Sequence, residues 1–89
     1  MNVKEIIEEL NKHVDTKNHK AASEVFKVLN ERQYDTLSEI AETDWFKHYF
    51  YQLENLVYSD EKLWNTSGFE KLYNTIVPMI IMNLERINE

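Results

Sequence analysis

The chain has 89 residues, a formal net charge of −6, no cysteine, one glycine and one proline. A folded chain of this length buries only about 60–65% of the surface exposed when unfolded, so one domain with a modest core is expected over residues 1–89. The lack of cysteine excludes disulfides and thiolate metal sites, and the scarcity of turn-forming residues argues against many short strands. An all-α fold is therefore predicted.

Three helices are predicted in the first half of the chain. The first begins at Asn2 and Glu5, which have the spacing of a capping box. The second follows the polar stretch "DTKNHK" and ends near Arg32, and a short third helix begins at a second capping-box pair, Thr36 and Glu39. The apolar residues expected to face the core are Val3, Ile6, Ile7, Leu10 and Val14, then Ala21, Ala22, Val25, Phe26 and Leu29, then Leu37, Ile40 and Ala41.

A fourth helix is predicted from Thr43 or Asp44, either of which can cap it, to about Tyr58. On a helical wheel its apolar and aromatic residues fall within an arc of about 140°, which is the expected core face. These residues are Trp45, Phe46, Tyr49, Phe50, Leu53, Leu56 and Val57.

A last helix is predicted after the loop at residues 59–67, with Ser67 and Glu70 as its capping pair. Its apolar residues are Phe69, Leu72, Tyr73, Ile76, Val77, Ile80, Ile81, Leu84 and Ile87. Proline removes a helical hydrogen bond and costs about 3 kcal/mol inside a helix, so this helix should be kinked or broken near Pro78. Four main helices and one short helix predict a small antiparallel bundle.

The methionines of the last helix leave its environment open. Met79 and Met82 lie off its main apolar stripe, so the helix is apolar nearly all round. This pattern favours a central helix buried on most sides, and the alternative is a homodimer that uses Met79 and Met82 as adaptable contacts.

The chain shows no signal for membrane insertion or secretion. The N-terminus has acids inside its apolar pattern, and the longest apolar run, "IVPMIIM", is far shorter than the roughly 20 residues that cross a bilayer. A cytoplasmic protein is expected. Frequent Asn, Ile, Lys and Glu suggest an AT-rich genome and hence a bacterial or phage source.

The sequence contains no motif for catalysis or metal binding. His13, His19 and His48 lack the spacing of a shared metal site, and they are interpreted as surface residues. The stretch "DEKLWNTSG" has Lys62 and Trp64 where a calcium loop needs oxygen ligands. We therefore expect no enzymatic activity, no cofactor and no metal.

The negative charge is concentrated in one region. Residues 1–32 are neutral, whereas residues 33–61 hold seven acids against Lys47 alone. Asp35, Glu39 and Glu42 are spaced to form an acidic stripe on the short third helix, although like charges at this spacing weaken an isolated helix. Such a field repels nucleic acid and anionic membranes and accelerates encounter with a basic partner.

Two tyrosines do not fit the core arc of the fourth helix. Tyr51 and Tyr58 fall on its polar side, in one row with Asp44, His48 and Asn55. Tyrosine is enriched at the energetic centres of interfaces, so an exposed pair predicts a binding surface. The alternative is that the loop at residues 59–67 covers both rings.

These observations favour a small acidic inhibitor, most concretely an immunity protein that covers the cationic site of a basic nuclease toxin. The alternatives are a phage-type nucleic-acid mimic that blocks a host defence protein and a structural homodimer built on the last helix. The candidate partner-binding residues are Asp35, Glu39, Glu42, Asp44, His48, Tyr51, Glu54, Asn55, Tyr58, Asp60 and Glu61.

Overall fold

The computed structural model describes residues 2–16, 18–60, 62, 64 and 67–88, and for Ser67 the backbone only. The predicted all-α fold is confirmed, because these residues form four α-helices and one 3-10 helix and no strand. The elements are α1 (Val3–Asn11), α2 (His19–Arg32), the 3-10 helix (Ile40–Glu42), α3 (Asp44–Val57) and α4 (Ser67–Asn88).

Polar side chains cap three of the helices at their N-termini. The backbone N–H groups of Glu5 and Ala21 donate to the side chains of Asn2 and Asn18, each at 2.8 Å. Thr43, one of the two predicted caps of α3, accepts a hydrogen bond from a backbone N–H at 3.4 Å. These bonds satisfy donors that have no partner within the helix. The predicted capping by Ser67 lies outside the described residues.

The predicted short third helix is not an α-helix. Residues 33–39 form successive turns, and only Ile40–Glu42 is helical, with 3-10 geometry. Glu39 is itself the N-cap of this 3-10 helix and makes no side-chain capping bond, so the helix begins later than the predicted pair Thr36 and Glu39 indicates. The expected inward contacts are nevertheless present, since Leu37 and Ile40 are buried. Burial of these two residues holds the segment against the core without a regular helix.

The four α-helices form an antiparallel bundle in which each helix packs against two others. The α2–α3 pairing places the first residue of α2 beside the last residue of α3, where His19 Nε2 lies 2.7 Å from the Val57 carbonyl oxygen. The α1–α4 pairing is closed by the Tyr73 hydroxyl, which donates to the His13 carbonyl oxygen at 2.7 Å. The α1 helix also contacts α2, α3 also contacts α4, and the 3-10 helix packs against α3.

A single apolar cluster fills the centre of the bundle. The predicted core face of α3 is confirmed, with Phe46, Leu53 and Leu56 buried and the other four residues of the arc half-buried. The remaining core residues are Ile6, Ile7, Leu10, Ala21, Ala22, Val25, Leu29, Leu37, Ile40, Tyr73, Ile76, Val77, Ile80, Ile81 and Leu84.

The last helix differs from its prediction in two ways. It continues through Pro78, so the predicted break is absent. The predicted kink stays a prediction. The helix is also not buried on most sides, because Leu72, Met82 and Ile87 are exposed and Met79 is half-buried. The α4 helix therefore buries one face against α1 and α3. Among the described residues, no helix is both long and apolar enough to cross a membrane.

Candidate partner-binding surface

The solvent-facing side of α3 carries a straight row of exposed side chains. Its members alternate four and three residues apart, which is the spacing of one stripe along an α-helix. We call this row the α3 outer row, and its members are Asp44, His48, Tyr51, Asn55 and Tyr58. Tyr51 is 64% exposed and Tyr58 is 75% exposed, so the alternative that both rings are covered is wrong.

Tyr58 is exposed yet supported from behind by an aromatic ladder. Its ring contacts Phe26 of α2 edge to face, with centroids 6.0 Å apart. Phe26 stacks on Phe50 at 5.1 Å, and Phe50 stacks on Phe46 at 5.5 Å. We call these four residues the aromatic ladder. Because aromatic pairs in these geometries attract one another, the ladder holds the Tyr58 ring in place on the surface.

The three acids of the predicted stripe form an acidic turn rather than a helical face. We use that name for Asp35, Glu39 and Glu42, which are all exposed. The acidic turn leads directly into α3, and Glu42 is separated from Asp44 by one residue. The predicted helical alignment is wrong because the backbone at residues 33–39 is a series of turns. Glu42 nevertheless lies in the 3-10 helix that packs against α3, two residues before Asp44.

Asp35 is already engaged within the chain. Its carboxylate accepts a hydrogen bond from the Thr36 backbone N–H and lies 3.2 Å from Arg32 Nη1. The hydrogen bonds from Thr36, with a smaller contribution from the Arg32 charge, hold the pKa of Asp35 below its ordinary value. Asp35 is consequently less available to a partner than Glu39 and Glu42.

The other described acids of the region form no ion pair with a described base. Within the described segments, ion pairs involve only Glu9, Glu31 and Asp35 on the acidic side. Glu54 is half-buried on α3, and Asp60 follows Tyr58 by two residues and accepts a hydrogen bond from the Lys62 backbone N–H at 2.9 Å. Glu61 lies outside the described residues. Carboxylates thus flank the α3 outer row at both ends.

Two predicted site residues also have local structural roles. Asp44 lies in the first turn of α3, where its negative charge interacts favourably with the positive end of the helix dipole and stabilises the helix. His48 is 3.3 Å from the Gln52 side chain and contacts the Tyr49 ring edge on. Both side chains remain exposed, so these roles do not exclude contact with a partner.

Tyr34 is a surface aromatic that the sequence reasoning missed. It is 80% exposed, the highest value among the large apolar and aromatic side chains described, and it precedes Asp35 of the acidic turn. Helical periodicity could not identify it because it lies in a turn. A usable signal was its position in "RQYDT", an aromatic residue surrounded by polar ones.

His19 is not the surface residue that was predicted. It is half-buried, and its Nε2 carries a proton because the Val57 carbonyl can only accept. Trp64 Nε1 donates to the neighbouring Leu56 carbonyl at 3.3 Å. Both side chains thus donate to carbonyl groups in the last turn of α3, and the Leu56 carbonyl also accepts from the Ser59 backbone N–H at 3.4 Å.

A cleft of about 220 Å³ lies beside the start of α2, away from the α3 outer row in sequence. It is lined by His13, Thr16, Asn18, Lys20, Ala21 and Glu24, of which only Ala21 is fully buried. Asn18 already caps α2. In the part of the chain that the structure describes, no three His, Asp or Glu side chains are grouped closely enough to hold a metal ion.

Comparisons with known proteins return no match. No family model, no curated protein and no solved structure matches the chain. The candidate surface is therefore assigned from its own residues.

Proposed function

We propose that this chain is an inhibitor that binds a basic protein, most concretely an immunity protein that neutralises a nuclease toxin by covering its cationic cleft. The observation that carries the proposal is the α3 outer row, in which exposed Tyr51 and Tyr58 lie between Asp44 and Asp60, two acids with no basic partner among the described residues. A nuclease is the favoured partner because an enzyme that grips RNA or DNA must present positive charge to its phosphates.

The carboxylates support the proposal through charge complementarity. An acidic surface steers a basic partner into encounter and raises the association rate, an effect that salt weakens. Glu39 and Glu42 of the acidic turn and Asp44 of α3 are exposed and have no basic partner among the described residues. They can therefore form ion pairs with a partner without first breaking one within the chain.

The tyrosines support the proposal through their contact area. A tyrosine offers a large rigid ring with a hydroxyl tip and loses little conformational entropy on binding. Tyr58 loses still less because the aromatic ladder already orients its ring. Tyr51 and Tyr58 are therefore expected to slow dissociation, whereas the carboxylates accelerate association.

A capture experiment tests the proposal. The wild-type chain, immobilised at low salt, should retain a basic protein from lysate of the source organism, and high salt should weaken this retention. The purified captured protein should degrade RNA or DNA, and an equimolar amount of the wild-type chain should stop that degradation. The double variant Tyr51→Ala, Tyr58→Ala should lose most of both effects.

A control variant and two other outcomes distinguish the proposal from its alternatives. The matched variant Leu72→Ala, Ile87→Ala removes two exposed side chains from α4 and should bind and inhibit like wild type. A captured nucleic-acid-binding defence protein without nuclease activity would replace the immunity role with that of a nucleic-acid mimic. Self-association of the chain alone, without a captured protein, would contradict the proposal and favour the homodimer through Met79 and Met82.

A further inference from the structure

Two tyrosines and one carboxylate follow one another along one side of α3 and its C-cap residue, Tyr58. Glu54 follows Tyr51 by three residues and precedes Tyr58 by four, so these side chains are neighbours along one side of the helix. At a rise of about 1.5 Å per residue, the two tyrosines start about 10.5 Å apart along the axis, with Glu54 between them. Within the described segments, Glu54 has no basic partner.

The arrangement suits a planar cation. A cation is attracted to the face of an aromatic ring, and a carboxylate forms its strongest hydrogen bonds with a charged donor. Guanidinium can stack flat on a tyrosine ring while its fork of N–H groups points at a carboxylate. A lysine ammonium is a compact and strongly hydrated point charge, so it gains less from the same arrangement.

We propose that the partner inserts an arginine side chain here, with its guanidinium stacked on Tyr51 or Tyr58 and paired with the Glu54 carboxylate. This inference rests on the proposed function, because it names the partner group that Tyr51 or Tyr58 of the α3 outer row would recognise together with Glu54. The aromatic ladder supports it by fixing the Tyr58 ring before binding.

Lys47 restricts where the cation can lie. It is the only base between residues 33 and 61 and is exposed one helical turn before Tyr51. Its charge repels a second cation at that end of the row. The guanidinium is therefore placed on the Tyr58 side of Tyr51, next to Glu54.

A titration of the full chain followed by NMR tests this inference with defined probes. The probes are N-acetyl-arginine amide and N-acetyl-lysine amide, added at low salt to wild type, Glu54→Gln and the control Glu8→Gln. Both substitutions remove one negative charge, and Glu8 is an exposed residue of α1. The measured quantities are the chemical shifts of the Tyr51 and Tyr58 ring signals, followed as the concentration of each probe rises until the shifts stop changing. These curves give the affinity for each probe.

The arginine probe should shift both ring signals and bind wild type about two- to fivefold more tightly than the lysine probe, the range that an exposed cation–π contact provides. This preference should persist in Glu8→Gln and shrink in Glu54→Gln, which keeps both tyrosine rings but loses the carboxylate. Equal responses to both probes, or an unchanged preference in Glu54→Gln, would overturn the inference. If the chain captures and inhibits a nuclease but shows no arginine preference, the proposed function stands and this inference is wrong. If the chain prefers the arginine probe but captures no partner, this inference stands and the proposed function is wrong.

Discussion

Tyrosine side chains occupy two different environments in this chain. Tyr73 is buried in the core, and its hydroxyl donates to the His13 carbonyl oxygen. Burial raises the pKa of Tyr73 to about 12, because an ionised phenolate is poorly solvated there. Tyr51 and Tyr58 expose most of their rings to solvent instead. The residue type alone therefore does not identify a binding surface.

The raised pKa of Tyr73 predicts a loss of stability in alkali. The folded state holds the Tyr73 proton more tightly than the unfolded state, whose tyrosine has a pKa of about 10. The stabilisation is complete below pH 10 and is lost as the pH rises towards 12. At pH 7, Tyr73→Phe should lower the free energy of unfolding by about 1 kcal/mol, the usual net contribution of one hydrogen bond.

Urea unfolding of both proteins between pH 7 and pH 11.5 measures this effect. The difference in stability between wild type and Tyr73→Phe should be constant up to about pH 9.5, just below the ordinary pKa of tyrosine, and should then shrink or reverse. The comparison removes the contributions of the other tyrosines and the lysines, which both proteins share. A difference that stays constant throughout would contradict a buried and proton-retaining Tyr73.

At the scale of single residues, helical periodicity predicts the face on which a side chain lies, but it leaves open whether a loop covers that face. Tyr51 and Tyr58 were placed on the polar side of α3 because each residue advances about 100° around a helix. The same rule cannot place Tyr34, which lies in a turn, or His19, whose bond to Val57 joins residues far apart in sequence. Such contacts depend on how the helices pack against one another, and no local pattern encodes that.

Among the elements, the α-helices were predictable and the segment between α2 and α3 was not. Apolar spacing and caps such as Asn2 and Thr43 mark helix starts locally. Residues 33–39 instead form turns. The Leu37 backbone N–H donates to the Arg32 carbonyl, and the Leu37 side chain is buried in the core, so the conformation of this segment depends on tertiary packing. Capping-box spacing at Thr36 was therefore insufficient to produce an α-helix.

The α4 helix contains an interior proline, which predicts a gain in stability on its removal. Pro78 is exposed, and proline inside a helix loses one hydrogen bond and clashes with the preceding turn. Pro78→Ala should raise the free energy of unfolding by about 1–3 kcal/mol, after allowing for the more flexible unfolded chain. Urea unfolding at unchanged m-value measures this gain.

The control for this prediction is Thr75→Ala, at an exposed position of the same helix. That change should gain only about 0.5 kcal/mol from helix propensity. If Pro78→Ala gains no more than the control, or loses stability, the packing of α4 requires a bend at Pro78.

At the scale of the whole molecule, the charge is segregated along the chain. Residues 1–32 and 62–89 each carry equal numbers of acids and bases, so the whole net charge of −6 arises from residues 33–61. The fold places this segment on the acidic turn and α3, where five of its seven acids are exposed. Solubility alone would be served by charge spread over the surface, whereas steering requires charge collected on one side.

The most direct test of a local docking surface is the rate at which the captured protein associates with charge-reversed variants. Glu39→Lys with Glu42→Lys changes the acidic turn, and Glu8→Lys with Glu85→Lys makes the same change in net charge on α1 and α4. Association rates of both variants and of wild type are measured at several salt concentrations. The first variant should associate more slowly than wild type by about tenfold or more at low salt and with a smaller salt dependence, whereas the second should change much less. Equal slowing by the two variants would show that only total charge matters and would contradict a docking surface on the acidic turn and α3.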